Sequence, residues 1–165
     1  MKRKLRGTDV LMLCILILLL ISAIPGVSSF ATNTSYEITN QYGDSVRIYG
    51  NGIYAHDSYN KATIAIGTDF TMLILVVPMF IYAIVSEMKN RTVKSKLFLI
   101  SVLATVLYYA ASLSFGVTYN SLHLIYIELF SSALFGLILL FRRIGLVKLR
   151  TKQAWELPST GVTIF

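Results

Sequence analysis

The stretch LFLISVLATVLYYAASLSFGV, residues 97–117, carries no charged side chain along its whole length. An α-helix needs about 20 apolar residues to cross the hydrocarbon core of a bilayer, so this stretch predicts a transmembrane helix. Three further apolar runs lie at residues 10–24, 70–85 and 122–141. The sequence therefore predicts four helices that cross a membrane.

The composition is that of a chain that lies mostly in lipid. Of 165 residues, 55% are hydrophobic and 14% are charged, and the mean hydropathy is +0.67. Soluble domains carry about a quarter charged residues, so this chain lacks the polar surface that water requires. Cys14 is the only cysteine and the two histidines have no metal-ligand spacing. Neither a metal nor another cofactor is predicted.

The basic residues predict the orientation of the helices. All of the 15 Lys and Arg except Arg47 and Lys61 lie at residues 2–6, 89–96 and 142–152. Loops rich in Lys and Arg stay in the cytoplasm, so these segments and both termini are predicted to be cytoplasmic, in the plasma (inner) membrane. The net charge of +7 is thus explained without nucleic acid as a partner. The predicted contacts to anionic lipid headgroups are Arg142, Arg143, Lys148, Arg150 and Lys152.

We predict an all-α membrane protein, an up-down bundle of four transmembrane helices. Residues 1–141 form one membrane domain, with helices at about 8–24, 68–87, 96–117 and 121–142, and residues 142–165 form a basic tail. The extracytoplasmic loop spans residues 25–67 and includes a small β-hairpin that turns at Gly50-Asn51-Gly52. Its tyrosines are typical of a membrane interface.

Local signals predict those boundaries. Pro25-Gly26 indicates the end of helix 1, and Gly67-Thr68-Asp69 indicates the start of helix 2. Pro78 predicts a kink inside helix 2, because proline cannot donate a backbone hydrogen bond. Helix 1 has a second interpretation, since a basic start, an apolar core and Ser29-Phe30-Ala31 also describe a cleavable signal peptide.

Glu128 is the acidic residue that stands inside the fourth predicted helix. A carboxylate in a bilayer needs a partner, water or a proton, so its position indicates a role. Three roles fit: a proton or cation site in a transporter, a polar contact between helices, or a group that faces a ligand. His123 begins the same helix and shares one helical face with Tyr119 and Tyr126.

His56-Asp57-Ser58 in the outer loop has the residue types of a catalytic triad, but neighbours in sequence rarely reach the geometry that a triad requires. We therefore expect recognition, and no catalytic residue is assigned. The candidate binding residues are His56, Asp57, Ser58, Asp69, Tyr119, Asn120, His123 and Glu128.

Three stretches carry a resemblance to a known group of proteins. They are YGNGIYAHDS at residues 49–58, GTD at residues 67–69, and Tyr119-Asn120 with the following helix as far as Phe130. Over about residues 45–141 the chain resembles a family of bacterial multi-pass, four-helix membrane proteins. The resemblance implies a bacterial inner membrane. It implies no activity, since that family has no assigned function.

Two functions follow as expectations. In the first, the outer loop and the outer helix ends form a non-enzymatic recognition surface for a partner protein or an extracytoplasmic ligand. In the alternative, Glu128 serves a small proton- or cation-coupled transporter that works as an oligomer. A membrane protein partner or a second copy of the chain is expected in either case, with anionic lipid around it.

Overall fold

The computed structural model describes residues 6–30 and 34–151, with side chains as far as Ile144. The described chain is mostly helical. Helix α1 spans Gly7–Ser28, α2 spans Tyr59–Asn90, α3 spans Val93–Gly116 and α4 spans His123–Thr151. Strands β1 (Tyr36–Thr39) and β2 (Ser45–Ile48) form a two-stranded antiparallel sheet, and a 3₁₀ turn follows at Gly52–Tyr54.

Four helices are long and apolar enough to cross a membrane: α1, α2, α3 and the His123–Ile144 part of α4. Half or less of the most apolar stretch of each helix is buried inside the protein. The outward surface keeps large apolar side chains such as Ile17, Phe115 and Phe135. Monomeric soluble proteins rarely expose an apolar surface of this extent to water. The helices therefore indicate a membrane-embedded, multi-pass protein.

The core runs along the inner faces of all four helices. Because residues three and four apart share a helical face, α1 buries Ile15, Leu19 and Ala23 completely. Gly136 of α4 lies against α1 and α3, where an added Cβ would come within 3.0 Å of Met12 and 3.2 Å of Leu103. Glycine thus permits α4 to pack closely on two neighbours.

The two ends of the bundle differ in structure. The hairpin end comprises residues 34–58 and the α3–α4 loop, residues 117–122. The turn end comprises residues 7–9, 87–96 and 142–144. At the turn end Arg91 adopts a left-handed backbone (φ 51°) between α2 and α3, and Thr92 and Ser95 cap the start of α3.

A network of charged and hydroxyl groups holds the turn end together. Ser95 Oγ donates to Glu87 Oε2 at 2.6 Å, and Lys96 Nζ lies 3.9 Å from the other Glu87 oxygen. Arg91 contacts Asp9 of α1 at 3.3 Å, and Arg143 of α4 donates to Thr8. The start of α1, the α2–α3 turn and the later part of α4 are thereby joined at one end.

The predicted start of α2 was wrong. The helix begins at Tyr59, so Gly67-Thr68-Asp69 lies well inside it and does not cap it. Ala62, Ile66 and Asp69 occupy one buried face of this additional part. The polar residues between them resemble a loop in sequence, but they lie on the opposite face of the helix.

Pro25 lies inside its helix and does not end it. The predicted end of α1 at Pro25-Gly26 was wrong, because the helix continues to Ser28. Ser28 Oγ donates to the Ile24 carbonyl, which holds the last turn. In α2 a π-helical turn at Met72–Val76 precedes Pro78, and the helix continues to Asn90. The kink at Pro78 stays a prediction.

The hairpin lies earlier in the chain than predicted. Tyr36 pairs with Ile48 and Thr39 pairs with Ser45, so the turn falls at residues 40–44. Asn40 Oδ1 accepts from the Asp44 backbone N–H within this turn. Gly50 and Gly52 do adopt positive φ, as their sequence indicates, but they lead into the 3₁₀ turn.

Replacing Glu87 by Gln tests the turn-end network. The amide can still accept from Ser95, but it leaves the buried Lys96 ammonium without its carboxylate. We expect a loss of about 3 kcal/mol in the free energy of unfolding, measured by thermal unfolding in detergent. Glu37→Gln is the matched control, because exposed Glu37 also accepts from a serine hydroxyl. Equal stability of both variants would contradict the network.

Candidate functional site

A cleft of about 630 Å³ opens at the hairpin end. Three segments line it: residues 25–29 at the end of α1, residues 52–56 around the 3₁₀ turn, and residues 119–121 between α3 and α4. The walls therefore come from parts of the chain that are far apart in sequence.

Ser29 holds the wall formed by residues 52–56 against α1. Its carbonyl accepts from the Tyr49 hydroxyl and from Asn51 Nδ2, each at 3.0 Å. Its hydroxyl accepts from the Ile53 backbone N–H at 3.0 Å. Gly52 passes so close that a Cβ there would lie 2.2 Å from Ser29 Oγ. The close approach thus requires glycine at residue 52.

Asp57 joins the second and third walls. Its Oδ1 accepts from the Thr118 backbone N–H at 3.0 Å and from the Thr118 hydroxyl at 2.8 Å. Lys61 Nζ lies 3.9 Å from the same oxygen, at the rim. Asp57 is 2% exposed, so these contacts replace the water that its carboxylate loses.

Asp69 lies below the cleft, fully buried inside the bundle. One carboxylate oxygen accepts from the Tyr54 hydroxyl at 2.7 Å, and the other accepts from the Tyr109 hydroxyl at 2.6 Å. Gly26 of α1 packs on this carboxylate, since a Cβ on Gly26 would lie 1.7 Å from Asp69 Oδ2. Asp69 therefore connects α1, α2, α3 and the 3₁₀ turn.

Tyr54 is a stable hydrogen-bond donor in this arrangement. Burial, together with the Asp69 carboxylate beside it, raises the pKa of Tyr54 well above that of an exposed tyrosine. The hydroxyl therefore stays protonated and continues to donate to Asp69.

Several buried polar atoms at the hairpin end lack a hydrogen-bond partner among the described residues. We call Asp57, Asn120, His123 and Tyr126 the inner polar cluster. Its unpartnered atoms are Asp57 Oδ2, Asn120 Nδ2, His123 Nδ1 and the Tyr126 hydroxyl. Buried polar atoms are nearly always paired, so a set of four is unusual.

The inner polar cluster adjoins the cleft. The Tyr126 hydroxyl lies beside the Asn120 amide and the Tyr54 hydroxyl without reaching hydrogen-bonding geometry with either, and both Asp57 and Asp69 act on it electrostatically. The His123 ring stands between Tyr119 and Tyr126, with centroids 5.1 Å and 6.3 Å away. Asn120 and Tyr119 also line the cleft.

The structure brings together some of the predicted site residues. His56, Tyr119 and Asn120 line the cleft, and His123 and Asp57 lie directly behind them. The position predicted for Asp69, at the surface end of a helix, was wrong, because α2 begins earlier and buries it. Histidine, tyrosine, asparagine and serine side chains give the cleft donors, acceptors and aromatic faces.

Other predicted residues lie elsewhere. Ser58 is half-buried and forms a backbone bridge with Ile48. Glu128 is exposed on the outer surface of α4, away from the cleft. Arg142 is exposed and Arg143 bonds to Thr8. The side chains of Lys148 and Arg150, and the whole of Lys152, fall outside the described residues.

Sequence reasoning missed the groups that hold Asp69. Tyr54 was expected at a membrane interface, Gly26 was expected only to mark the end of helix 1, and Tyr109 was not selected. The missed signal is the buried face of α2: extending the apolar pattern back through Ile66 and Ala62 places Asp69 inside the helix. A buried carboxylate then requires donors from neighbouring helices.

No protein family, no curated protein and no solved structure matches this chain. The function is therefore inferred from the geometry of the hairpin end. Among the described residues, no three His, Cys, Asp or Glu side chains converge as a metal-binding group. His56 is exposed and the Asp57 carboxylate bonds to Thr118, so these neighbours do not form a catalytic pair.

Gly26→Ala tests the contact between α1 and Asp69. The new Cβ must displace the carboxylate or move α1, so we expect unfolding to become easier by about 1–3 kcal/mol. Gly67→Ala is the matched control, since a Cβ on that helical glycine meets nothing within 4 Å. The control should be neutral or slightly stabilised. Thermal unfolding in detergent compares them, and equal melting temperatures would refute the contact.

Proposed function

We propose that this protein is a multi-pass protein of the bacterial inner membrane that binds a ligand or a partner protein in the cleft at its hairpin end. The cleft is the observation that carries the proposal, because it gathers His56, Tyr119 and Asn120 from two distant segments. Binding sites are typically concave, with a few polar groups placed among apolar and aromatic ones.

The orientation follows from charge. The turn end carries Lys89, Arg91, Lys94 and Lys96 around the α2–α3 turn, and Arg142 and Arg143 within α4. Basic loops stay in the cytoplasm, so the turn end is cytoplasmic and the cleft faces outward. The contacts of Asp9 and Thr8 with Arg91 and Arg143 support an up-down bundle, with both termini on the cytoplasmic side.

The rigid walls of the cleft favour binding. The Ser29 contacts fix one wall and the Asp57–Thr118 contacts fix another, so the cleft needs little ordering when a ligand enters. Tyr119 is 72% exposed, yet its ring packs on His123. An exposed aromatic ring held in place is a common anchor for a bound molecule.

The alternative is a proton- or cation-coupled transporter that uses Glu128. Because Glu128 lies on the outer surface of α4, a pathway through it would have to run between copies of the chain. The cleft needs no second copy, which favours the binding function. A carboxylate on a lipid-facing surface is nevertheless costly, and a neighbouring membrane protein would relieve that cost.

Labelling of single cysteines tests the orientation. In a Cys14→Ser background, Tyr42→Cys places a thiol on the exposed hairpin turn and Asn90→Cys places one at the turn end. We expect a membrane-impermeant maleimide to label position 42 in intact cells and position 90 only after the membrane is opened. The opposite pattern would reverse the orientation and move the cleft to the cytoplasm.

Site-specific photocrosslinking tests the binding function. A benzophenone amino acid at position 119, on the cleft wall, should give a specific adduct in native membranes. The same group at position 82 is the control, because Tyr82 of α2 is 66% exposed and remote from the cleft lining. Adding His56→Ala should reduce the adduct about tenfold, since it removes a polar group of the cleft. Identical adducts at both positions would contradict a binding cleft.

A further inference from the structure

We propose that the inner polar cluster binds the ammonium group of a primary amine that enters through the cleft. This inference rests on the proposed function, because it names the chemical class of the ligand for the same cleft. It goes further by assigning the contacts to Asp57 and Tyr126, which lie behind the residues that line the cleft.

Only one of the two oxygens of the Asp57 carboxylate is paired within the residues that the structure describes. The side chain is 1% exposed, and its Oδ1 already accepts two hydrogen bonds from Thr118. Its Oδ2 is buried and has no partner among the described residues. A carboxylate oxygen can only accept, so its missing partner is a donor. Leaving such an oxygen unpaired is costly, which favours an occupant.

Negative charge is concentrated beside the inner polar cluster. The Asp57 backbone N–H donates to the Tyr54 carbonyl and the Tyr54 hydroxyl donates to Asp69, so two buried carboxylates adjoin the same 3₁₀ turn. The nearest described cation is Lys61, whose side chain is 53% exposed and which lies by Oδ1, not Oδ2. The interior therefore favours a positively charged occupant.

The polar atoms of the inner polar cluster suit an ammonium group better than a metal ion. The described part of the chain offers no group of three acidic, histidine or cysteine side chains for a metal ion. Asp57 Oδ2 and the Tyr126 hydroxyl are instead suited to the N–H donors of an ammonium group.

The cleft gives a ligand access to the inner polar cluster through Asn120. Asn120 lines the cleft and lies beside the Tyr126 hydroxyl, so it joins the cleft to the inner polar cluster. Its free Nδ2 would meet an acceptor on the ligand, such as a hydroxyl or carbonyl oxygen close to the ammonium. The expected ligand is thus a primary amine with a neighbouring oxygen, as in an amino alcohol or an amino acid amide.

Calorimetry on the full chain in nanodiscs tests this inference, with ethanolammonium and glycinamide as probes. Ethylene glycol is the neutral comparison for ethanolammonium, and equal sodium chloride controls for ionic strength. We expect both ammonium probes to bind and ethylene glycol not to bind. Asp57→Asn should weaken binding about tenfold or more, and Tyr126→Phe should weaken it about three- to tenfold.

Glu87→Gln separates binding from folding. It removes a buried carboxylate at the turn end and leaves Asp57 untouched, so it should lower the melting temperature and keep ammonium affinity within about threefold. Equal binding of ethylene glycol, or equal ammonium binding by wild type and Asp57→Asn, would overturn the inference. If the probes fail while the crosslink at position 119 persists, the ammonium assignment falls and the binding cleft stands.

Discussion

The Asp69 carboxylate is the contact on which the arrangement of this protein depends. It accepts one tyrosine hydroxyl from the 3₁₀ turn and one from α3, and α1 packs directly on it through Gly26. Taking a carboxylate out of water costs several kcal/mol, and these bonds repay that cost only while all partners stay in place. Helices α1, α2 and α3 and the 3₁₀ turn are therefore held in one relative position.

The same constraint explains why the cleft is well defined. The 3₁₀ turn that supplies Tyr54 to Asp69 also supplies Gly52 and Ile53 to the cleft wall. Tyr54 donates inward while Ile53 binds Ser29 of α1. A short segment is thus fixed on two sides, toward the membrane interior and toward the helix end. Without these two contacts, the segment that contains the 3₁₀ turn would be free to adopt many conformations.

Much of the fold was predictable because apolar runs report directly on burial in lipid. The four helices were found, and their centres were correct. Their ends were less certain, because Tyr59 to Asp69 mixes Ala62 and Ile66 with polar neighbours that face outward. The hairpin was predicted too far along the chain. Gly50 and Gly52 indicate a backbone with positive φ, but they do not indicate whether it belongs to a hairpin or to a 3₁₀ turn. Turn residues identify a local backbone conformation, and only tertiary contacts decide what it connects.

The site was predictable in its outer part alone. His56, Tyr119 and Asn120 drew attention as polar or aromatic residues in loops. The pairing of Asp57 with Thr118 joins residues 61 positions apart, and no local pattern indicates it. Glu128 attracted attention by its charge, but its helical position turns it outward.

That long separation has a consequence for how the protein is made. When the ribosome has completed the 3₁₀ turn and Asp57, the residue that will donate to the Asp57 carboxylate has not yet been synthesised. Only after α3 has been inserted and Thr118 has emerged can the third wall close on the first two. The cleft therefore forms late in membrane insertion, and a nascent chain arrested before α3 has the residues of two walls but no closed cleft.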